Sequence, residues 1–561
     1  MFILGISDNH DAGAAVVVDG KLLAAVGQER IDRQKNSGAF PWQAIDTALD
    51  MVGARPVDVD RVVFGTAYTP STLLRAMPGF HHARKSEGNF SYLLNLYICY
   101  QVALRRSGLE ALEIQASQAL LRKRMDRRGF SRAELRLMDH HEAHAHAAYR
   151  SQPRSECMVI TIDAMGDGAS VTVWVGRSGQ LDLHFEQSGL AAVNTYYSRI
   201  TQVLGFTPNR HEGKITGLAA YAEAPPELLE HMRRQMRFTG SGFCRLNYWR
   251  RQDPDDRFYS FVKRYSKEQV AAATQQALEE AIAAFVQHHV AATGVRHIAV
   301  AGGTFANVAV NRRIAELDCV DSLFVYPNMG DGGLPVGAAL GSAGAVPSRL
   351  PNVNLGPSFD DRHIERLLDG AGVAYRRPAQ LSRDVAQLIA DKKVVARCDG
   401  AMEWGPRALG NRSILYRPDD PAVNDWLNKR LQRTEFMPFA PMTLAERAPD
   451  LYVGLDKAAD AARFMTVCFP VSEAMKGNCA GVVHVDGTAR PQVLHQQDNP
   501  RMHELLSEFE KITGLPTIVN TSFNMHEEPI VCSPADALRA WQAADLDALV
   551  LGPFVIERAG D

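Results

Sequence analysis

His140 and His144 stand four residues apart in MDHHEAHAHAAYR (138–150), so on a helix both imidazoles lie on one face and can share a metal. The segment is not a zincin motif, because alanine stands at 145 where HExxH needs its second histidine. Two carboxylates occupy comparable positions: Asp163 ends the strand-like run MVITID, and Asp331 lies in a GDGG loop that follows another apolar run. A two-histidine set with carboxylates suits Fe(II), Mn(II) or Zn(II). The plain alternative is a His-rich helix edge that binds nothing. His10, in SDNHDAG, is a candidate acid or base because imidazole titrates near neutrality. Its alternative is a loop histidine satisfied by Asp8 or Asp11. Lys35 could meet an anion or simply be solvated. RHEGKITGLAAY (210–221) brings His211, Glu212 and Lys214 together before a glycine-bearing turn, as the lining of a polar pocket would.

A second region is rich in arginine. EWGPRALGNRSIL carries Arg407 and Arg412, NKRLQRTEFMPFAP carries Lys429, Arg430 and Arg433, and HVDGTARPQ carries Arg490. Guanidinium groups fork onto phosphate oxygens, so several converging from separate loops would make an oxyanion site. Salt bridging to Asp and Glu is the ordinary fate of any one of them. Asn520, Thr521, Ser522 and Asn524 follow an apolar strand in IVNTSFN, where small polar side chains could recognise an amide or a phosphate.

These residues need elements to position them. Residues 2–26 read as strand, Asp-bearing loop, strand, Asp-Gly turn and strand, and a two-residue turn between β-prone runs signals a hairpin. The same grammar returns at 158–187, which suggests a duplicated core. Two more apolar strands run into glycine-rich loops: GGTFANVAVN, with Gly302, Gly303 and Asn307, and NMGDGGLPVGAALGSA, which opens into a small-residue helix. Four such loops after four strands resemble the plan of the actin, sugar-kinase and Hsp70 superfamily, whose loops face nucleotide phosphates. Residues 344–358, with three prolines, read as a linker into a different α/β pattern, and the apolar tail 546–557 is expected to return to the first core. The charge balance of 61 Lys+Arg against 64 Asp+Glu gives no bulk attraction to nucleic acid or anionic membrane. The start lacks the basic n-region of a signal peptide, no apolar run reaches the roughly 20 residues of a membrane span, and eight scattered cysteines contain no CxxC pair. A cytoplasmic setting is expected.

SDNHDAGAA, HHEAHA, TIDAMGDG, RHEGKITGLAAY, GDGGLPVGAAL, EWGPRALGNRSIL, RTEFMPFAP, HVDGTARPQ and NTSFN together resemble the NodU/CmcH family of O-carbamoyltransferases over nearly the whole chain. The resemblance implies an α/β protein of two domains. One is actin-like (ASKHA, duplicated), over 1–346 and completed by 535–561; the other is an inserted YrdC-like domain over 353–534. It implies that carbamoyl phosphate and ATP, with Mg, form carbamoyladenylate in the YrdC-like domain. The carbamoyl group then passes to a hydroxyl of a natural-product or sugar acceptor in the metal-containing actin-like domain, as in antibiotic biosynthesis. The implied metal ligands are His140, His144, Asp163 and Asp331, with Fe(II) ahead of Mn or Zn; the implied catalytic group is His10 with Asp8 and Lys35. Arg407, Arg412, Lys429, Arg433, Arg490, Asn520 and Ser522, with Lys214, Gly302, Gly303 and Asn307, would bind substrate and nucleotide. Met437 stands where some members have arginine, and a homo-oligomer is left open. Two other readings stay alive. One is a tRNA-threonylcarbamoylation-type or hydrogenase-maturation-type carbamoyltransferase; the other is a non-catalytic nucleotide-binding regulator.

Overall fold

Phe2–Ser7 is buried from Ile3 onward, as a strand covered on both faces must be. In the computed structural model, which describes residues 1–77, 92–240, 242–244, 257–432 and 436–558, this strand (β1) is the centre of a five-stranded sheet. It pairs antiparallel with β2 (Gly13–Val18), which turns into β3 (Lys21–Gly27). The turn residues Asp19 and Gly20 have φ of 49° and 78°, the left-handed pair that a two-residue hairpin needs to match strand twist. On the other side of β1, β4 (Arg61–Phe64) and β5 (Glu134–Leu137) add in parallel. The order is β3-β2-β1-β4-β5.

A second sheet repeats that order. β6 (Glu156–Gly166), β7 (Ala169–Arg177) and β8 (Gln180–Ser188) form an antiparallel meander, and β9 (His297–Ala301) and β10 (Ser322–Val325) add in parallel beside β6. Read from its meander edge, the sheet runs β8-β7-β6-β9-β10. Each sheet's last strand leads into a helix, and each helix packs on the other sheet. His140–Arg150, after β5, lies on β6, β7 and β9; Leu334–Ser342, after β10, lies on β1, β2 and β4. The two helices touch where Gly337 leaves room: a Cβ there would sit 1.8 Å from the Ala143 carbonyl oxygen. The small residues of LPVGAALGS are therefore demanded by packing.

The chain divides into two compact units, residues 1–28 with 36–350 and residues 29–35 with 351–561. The boundary falls in the proline-bearing stretch, which holds no helix or strand. The second unit is built on a seven-stranded mixed sheet. Its strands are β11 (Val395–Cys398), β12 (Arg412–Tyr416), β13 (Ala440–Leu444), β16 (Gln492–Leu494), β17 (Thr517–Ser522), β18 (Ala548–Leu551) and β19 (Phe554–Glu557), in the order β16-β13-β17-β12-β11-β18-β19. A short pair, β14 (Phe469–Pro470) with β15 (Thr488–Ala489), stands apart from it. Helices Leu381–Ala390 and Pro500–Thr513 cover the sheet through Val385, Ile389, Leu505 and Phe509.

The tail corrects one expectation. Rather than completing the first unit, β18 pairs in parallel with β11, Val395 opposite Ala548, and folds back as β19. An apolar run such as LDALVLGPFVIE satisfies any buried sheet position, so its choice of sheet is not written in its composition. Residues 29–35 also belong to the second unit: Arg30 Nη2 donates to the Gly405 carbonyl at 2.8 Å, and Arg33 donates to the carbonyls of Pro529 and Ile530 at 2.8 and 2.7 Å. The eight cysteines are free thiols. No helix among the described residues is long and apolar enough to cross a membrane.

Candidate metal centre

Two carboxylates fix the start of helix His140–Arg150, where unpaired backbone N–H groups need acceptors. Asp139 caps it, accepting from the N–H of His141 and Glu142 at 2.9 and 3.1 Å, and is itself held by Arg105 Nη1 at 2.7 Å. Asp167, in the β6–β7 turn, accepts from the N–H of His140 at 2.9 Å and from those of Ala67 and Tyr68 at 2.7 and 2.9 Å. Gly166 then presses on the His140 ring so closely that a Cβ would lie 2.1 Å from it. The helix carries both imidazoles to one point.

There the expected four residues meet. His140 Nε2 lies 3.6 Å from Asp163 Oδ2 and 3.7 Å from Asp331 Oδ1; His144 Nε2 lies 3.3 and 3.5 Å from the same atoms. All four donor atoms fall within 4.8 Å of one another. Both Nε2 atoms and Asp163 Oδ2 are buried without an aligned hydrogen bond, a state that costs free energy unless something else takes their lone pairs. Separations of this size suit ligands roughly 2 Å from one ion, and imidazole with carboxylate suits a first-row divalent cation. The donor set fits a metal.

Two carboxylates dominate its electrostatics. Burial pulls the His144 imidazole down, but Asp163 and Asp331 outweigh it and hold it up at about 9. Burial and the Asp331 charge push Asp163 up, yet the nearby His140 and His144 imidazoles bring it to about 2. His141 differs from its neighbours. Burial and the nearby His140 drive it down to about 3, and its Nδ1 sits 2.6 Å from Thr161 Oγ1, so it serves the packing between helix and sheet.

His10 joins the cluster through Asp331, its Nδ1 3.0 Å from Asp331 Oδ2 with the ring partly exposed. Its companions do not follow it. Asp8 gives both oxygens to the buried Arg75, at 3.0 and 3.2 Å, and Arg75 also binds the carbonyls of Thr66 and Ala67. Asp8 thereby anchors a loop. Lys35 is exposed and belongs to the second unit. Asn9, which residue types did not single out, donates from Nδ2 to Asp331 Oδ2 at 2.8 Å.

Other candidates take structural places. Gly302, at φ 103°, lets its loop approach β6: a Cβ would lie 2.3 Å from the Ile162 carbonyl oxygen, and Gly303 faces Asp163. Asn307 caps helix Val308–Ala315 and exchanges amide bonds with Gln275 at 2.8 and 3.1 Å. Lys214 is buried, with Nζ 5.7 Å from the Phe206 ring centroid.

In the second unit the arginine and asparagine candidates occupy separate loops and strands. Arg412 is buried and donates to five main-chain carbonyls, those of Cys532, Asp399, Gly400, Asn411 and Pro357, at 3.1–3.3 Å. A guanidinium bonded to carbonyls in this way braces the fold. The loop around it wraps Glu403, whose Oε1 accepts from the N–H of Leu409, Asn411 and Arg412 at 2.8, 2.7 and 3.2 Å. Asn520 Nδ2 donates to the Ala408 carbonyl at 3.1 Å and to Gln492 Oε1 at 2.7 Å, leaving a buried Oδ1 without a hydrogen bond. Ser522 Oγ donates to Asn524 Oδ1 at 2.7 Å. Arg407 and Arg490 are half-buried in their loops, Lys429 is exposed, and Arg433 lies outside the described residues.

Comparison with known proteins matches most of the chain to two family models. The family described as Carbamoyltransferase N-terminus matches residues 2–340, and that described as Carbamoyltransferase C-terminus matches 386–558. An uncharacterized protein of Synechocystis is 30% identical, over 99% of this chain and 96% of its own. Nodulation protein NolNO of Sinorhizobium fredii is 30% identical over 98% and 79%, and nodulation protein NolO of Bradyrhizobium diazoefficiens 33% over 75% and 79%. With both parts of its length matched, and by relatives that span nearly all of it, the chain belongs to the carbamoyltransferase family.

Proposed function

We propose that the chain is an ATP-dependent O-carbamoyltransferase, with an actin-like first unit that transfers the group and a YrdC-like second unit that activates it. One observation carries the reading: Asp331 joins a buried two-His, one-Asp donor set on one oxygen to His10 on the other. Carbamoyl phosphate would lose phosphate to water, leaving carbamate. A carbamate oxygen would attack the α-phosphorus of Mg-bound ATP, and pyrophosphate would leave. An acceptor hydroxyl would then attack the carbamoyl carbon, and AMP would leave.

The residues divide this work. Arg407 and Arg490, both half-buried in loops of the second unit, are the guanidiniums proposed for the phosphate. The bare Oδ1 of Asn520 is suited to accept an N–H of the carbamoyl group. Beside Asp331, His10 keeps its proton on Nδ1, because a carboxylate oxygen 3.0 Å away only accepts. Its Nε2 then takes the proton from the attacking hydroxyl. A divalent ion held by His140, His144, Asp163 and Asp331 supplies Lewis-acid polarisation of an oxygen when bound. The acceptor is a hydroxylated small molecule, a natural product or a sugar.

The test is incubation with ATP, carbamoyl phosphate and a panel of hydroxylated natural products. AMP release that needs both co-substrates, with a mass gain of one carbamoyl on an acceptor, is expected. Failure to release AMP from the two together would overturn the reading.

A further inference from the structure

Asp331 has two oxygens with different duties, and rotation about its Cβ–Cγ bond would exchange them. Oδ1 lies 3.7 and 3.5 Å from the Nε2 atoms of His140 and His144, while Oδ2 lies 3.0 Å from His10 Nδ1. Something must hold the plane. Asn9 is buried and reaches Oδ2 across 322 residues of chain, donating from Nδ2 at 2.8 Å. The amide has a single workable orientation here, because a carboxylate only accepts and the NH2 must face it. Its Oδ1 therefore points the other way, where the buried Ser7 hydroxyl donates at 2.7 Å. Ser7 is the last residue of β1 and is paired with Gly13 in the sheet. A line of hydrogen bonds thus runs from the end of the central strand, through one amide, to a carboxylate of the metal centre.

We propose that Asn9 is a positioning residue: it locks the Asp331 carboxylate so that Oδ1 is presented to a divalent cation and Oδ2 to His10. The proposal rests on the metal reading of His140, His144, Asp163 and Asp331. Outer partners of metal ligands orient them, and their loss typically costs about 10–100-fold in metal affinity. Ser7 acts one step further out, by holding the amide that holds the carboxylate.

The experiment uses the full-length protein stripped of metal and titrated with Mn(II), free Mn(II) being read by electron paramagnetic resonance. Visible absorption of the Co(II)-loaded protein reports the ligand field. Asn9→Ala should weaken Mn(II) binding about 10–100-fold and alter the Co(II) bands. Ser7→Ala should shift both readouts in the same direction by less. The proposal is overturned if both variants bind Mn(II) as wild type does with an unchanged Co(II) spectrum. It is equally overturned if Asn9→Ala lowers the metal-free midpoint along with affinity while Ser7→Ala changes neither, since that is a loop anchor only. Wild-type protein that takes up neither ion would instead remove the metal reading beneath it.

Discussion

A carboxylate beside one nitrogen of an imidazole orients the ring, and His10 Nδ1 stands 3.0 Å from Asp331 Oδ2. His10→Asn keeps a polar group of similar reach and removes the base. Acceptor carbamoylation should fall about 10²–10⁴-fold, while AMP release from ATP and carbamoyl phosphate continues; parallel assays of product mass and AMP would show the split. Arg412 makes the opposite case. Replacing it with alanine takes this donor from the carbonyls of Cys532, Asp399 and Gly400, while those of Asn411 and Pro357 keep the backbone N–H of Asp399 and Met402, and each buried group left unsatisfied costs about 1–3 kcal/mol. Arg412→Ala should therefore show first as a fall in thermal midpoint by calorimetry. The metal donors were legible in the sequence because helical spacing and strand-end position are local facts. Arg412 was not, because an arginine in a glycine-rich loop looks the same whether it faces phosphate or carbonyls. Asn9 and the Arg75 partner of Asp8 depend on contacts across distant parts of the chain, which no local pattern announces.

At the scale of elements, the site depends on two helices packed at van der Waals limits. His140–Arg150 brings the imidazoles, and Leu334–Ser342 follows directly on Asp331. Gly337→Ala would place a methyl group 1.8 Å from the Ala143 carbonyl oxygen, so the helices must separate. Such overpacking typically costs about 1–3 kcal/mol. A lower thermal midpoint and weaker Mn(II) binding are expected together, because the helix that moves carries His140 and His144. The hairpins were readable beforehand from Asp19-Gly20 and Ser178-Gly179, whose turn chemistry is local. The partner of the last strands was not, since β18 and β19 are apolar runs that either unit could have housed.

At the scale of the whole molecule, one buried histidine should set part of the acid response. His289, on helix Lys267–Thr293, sits among Phe185, Phe285, His184 and His288 with neither ring nitrogen hydrogen-bonded. Burial, then the charges of His288 and His184, pull it down to about 4. The unfolded chain, with an ordinary histidine near 6.5, binds the proton first as pH falls. Stability is therefore unaffected above about pH 7 and declines between roughly 6.5 and 4, where only the unfolded state is protonated. His289→Leu should flatten the thermal midpoint across that window in a calorimetric pH series; an unchanged slope would remove His289 from the acid response.

The segment Glu29–Lys35 has a consequence for how such a protein can be taken apart or inherited. Its arginines hold the carbonyls of Gly405, Pro529 and Ile530, yet it lies hundreds of residues before them in the chain and is flanked on both sides by the other unit. No single cut of the polypeptide, or of the gene, releases a complete second unit. A fragment starting at Pro351 would leave those carbonyls facing a gap, and a recombination at the linker would join a second unit to a foreign strap. The seven residues 29–35 belong to the second unit but lie within the first in the chain, so the two units are expected to be inherited as one piece.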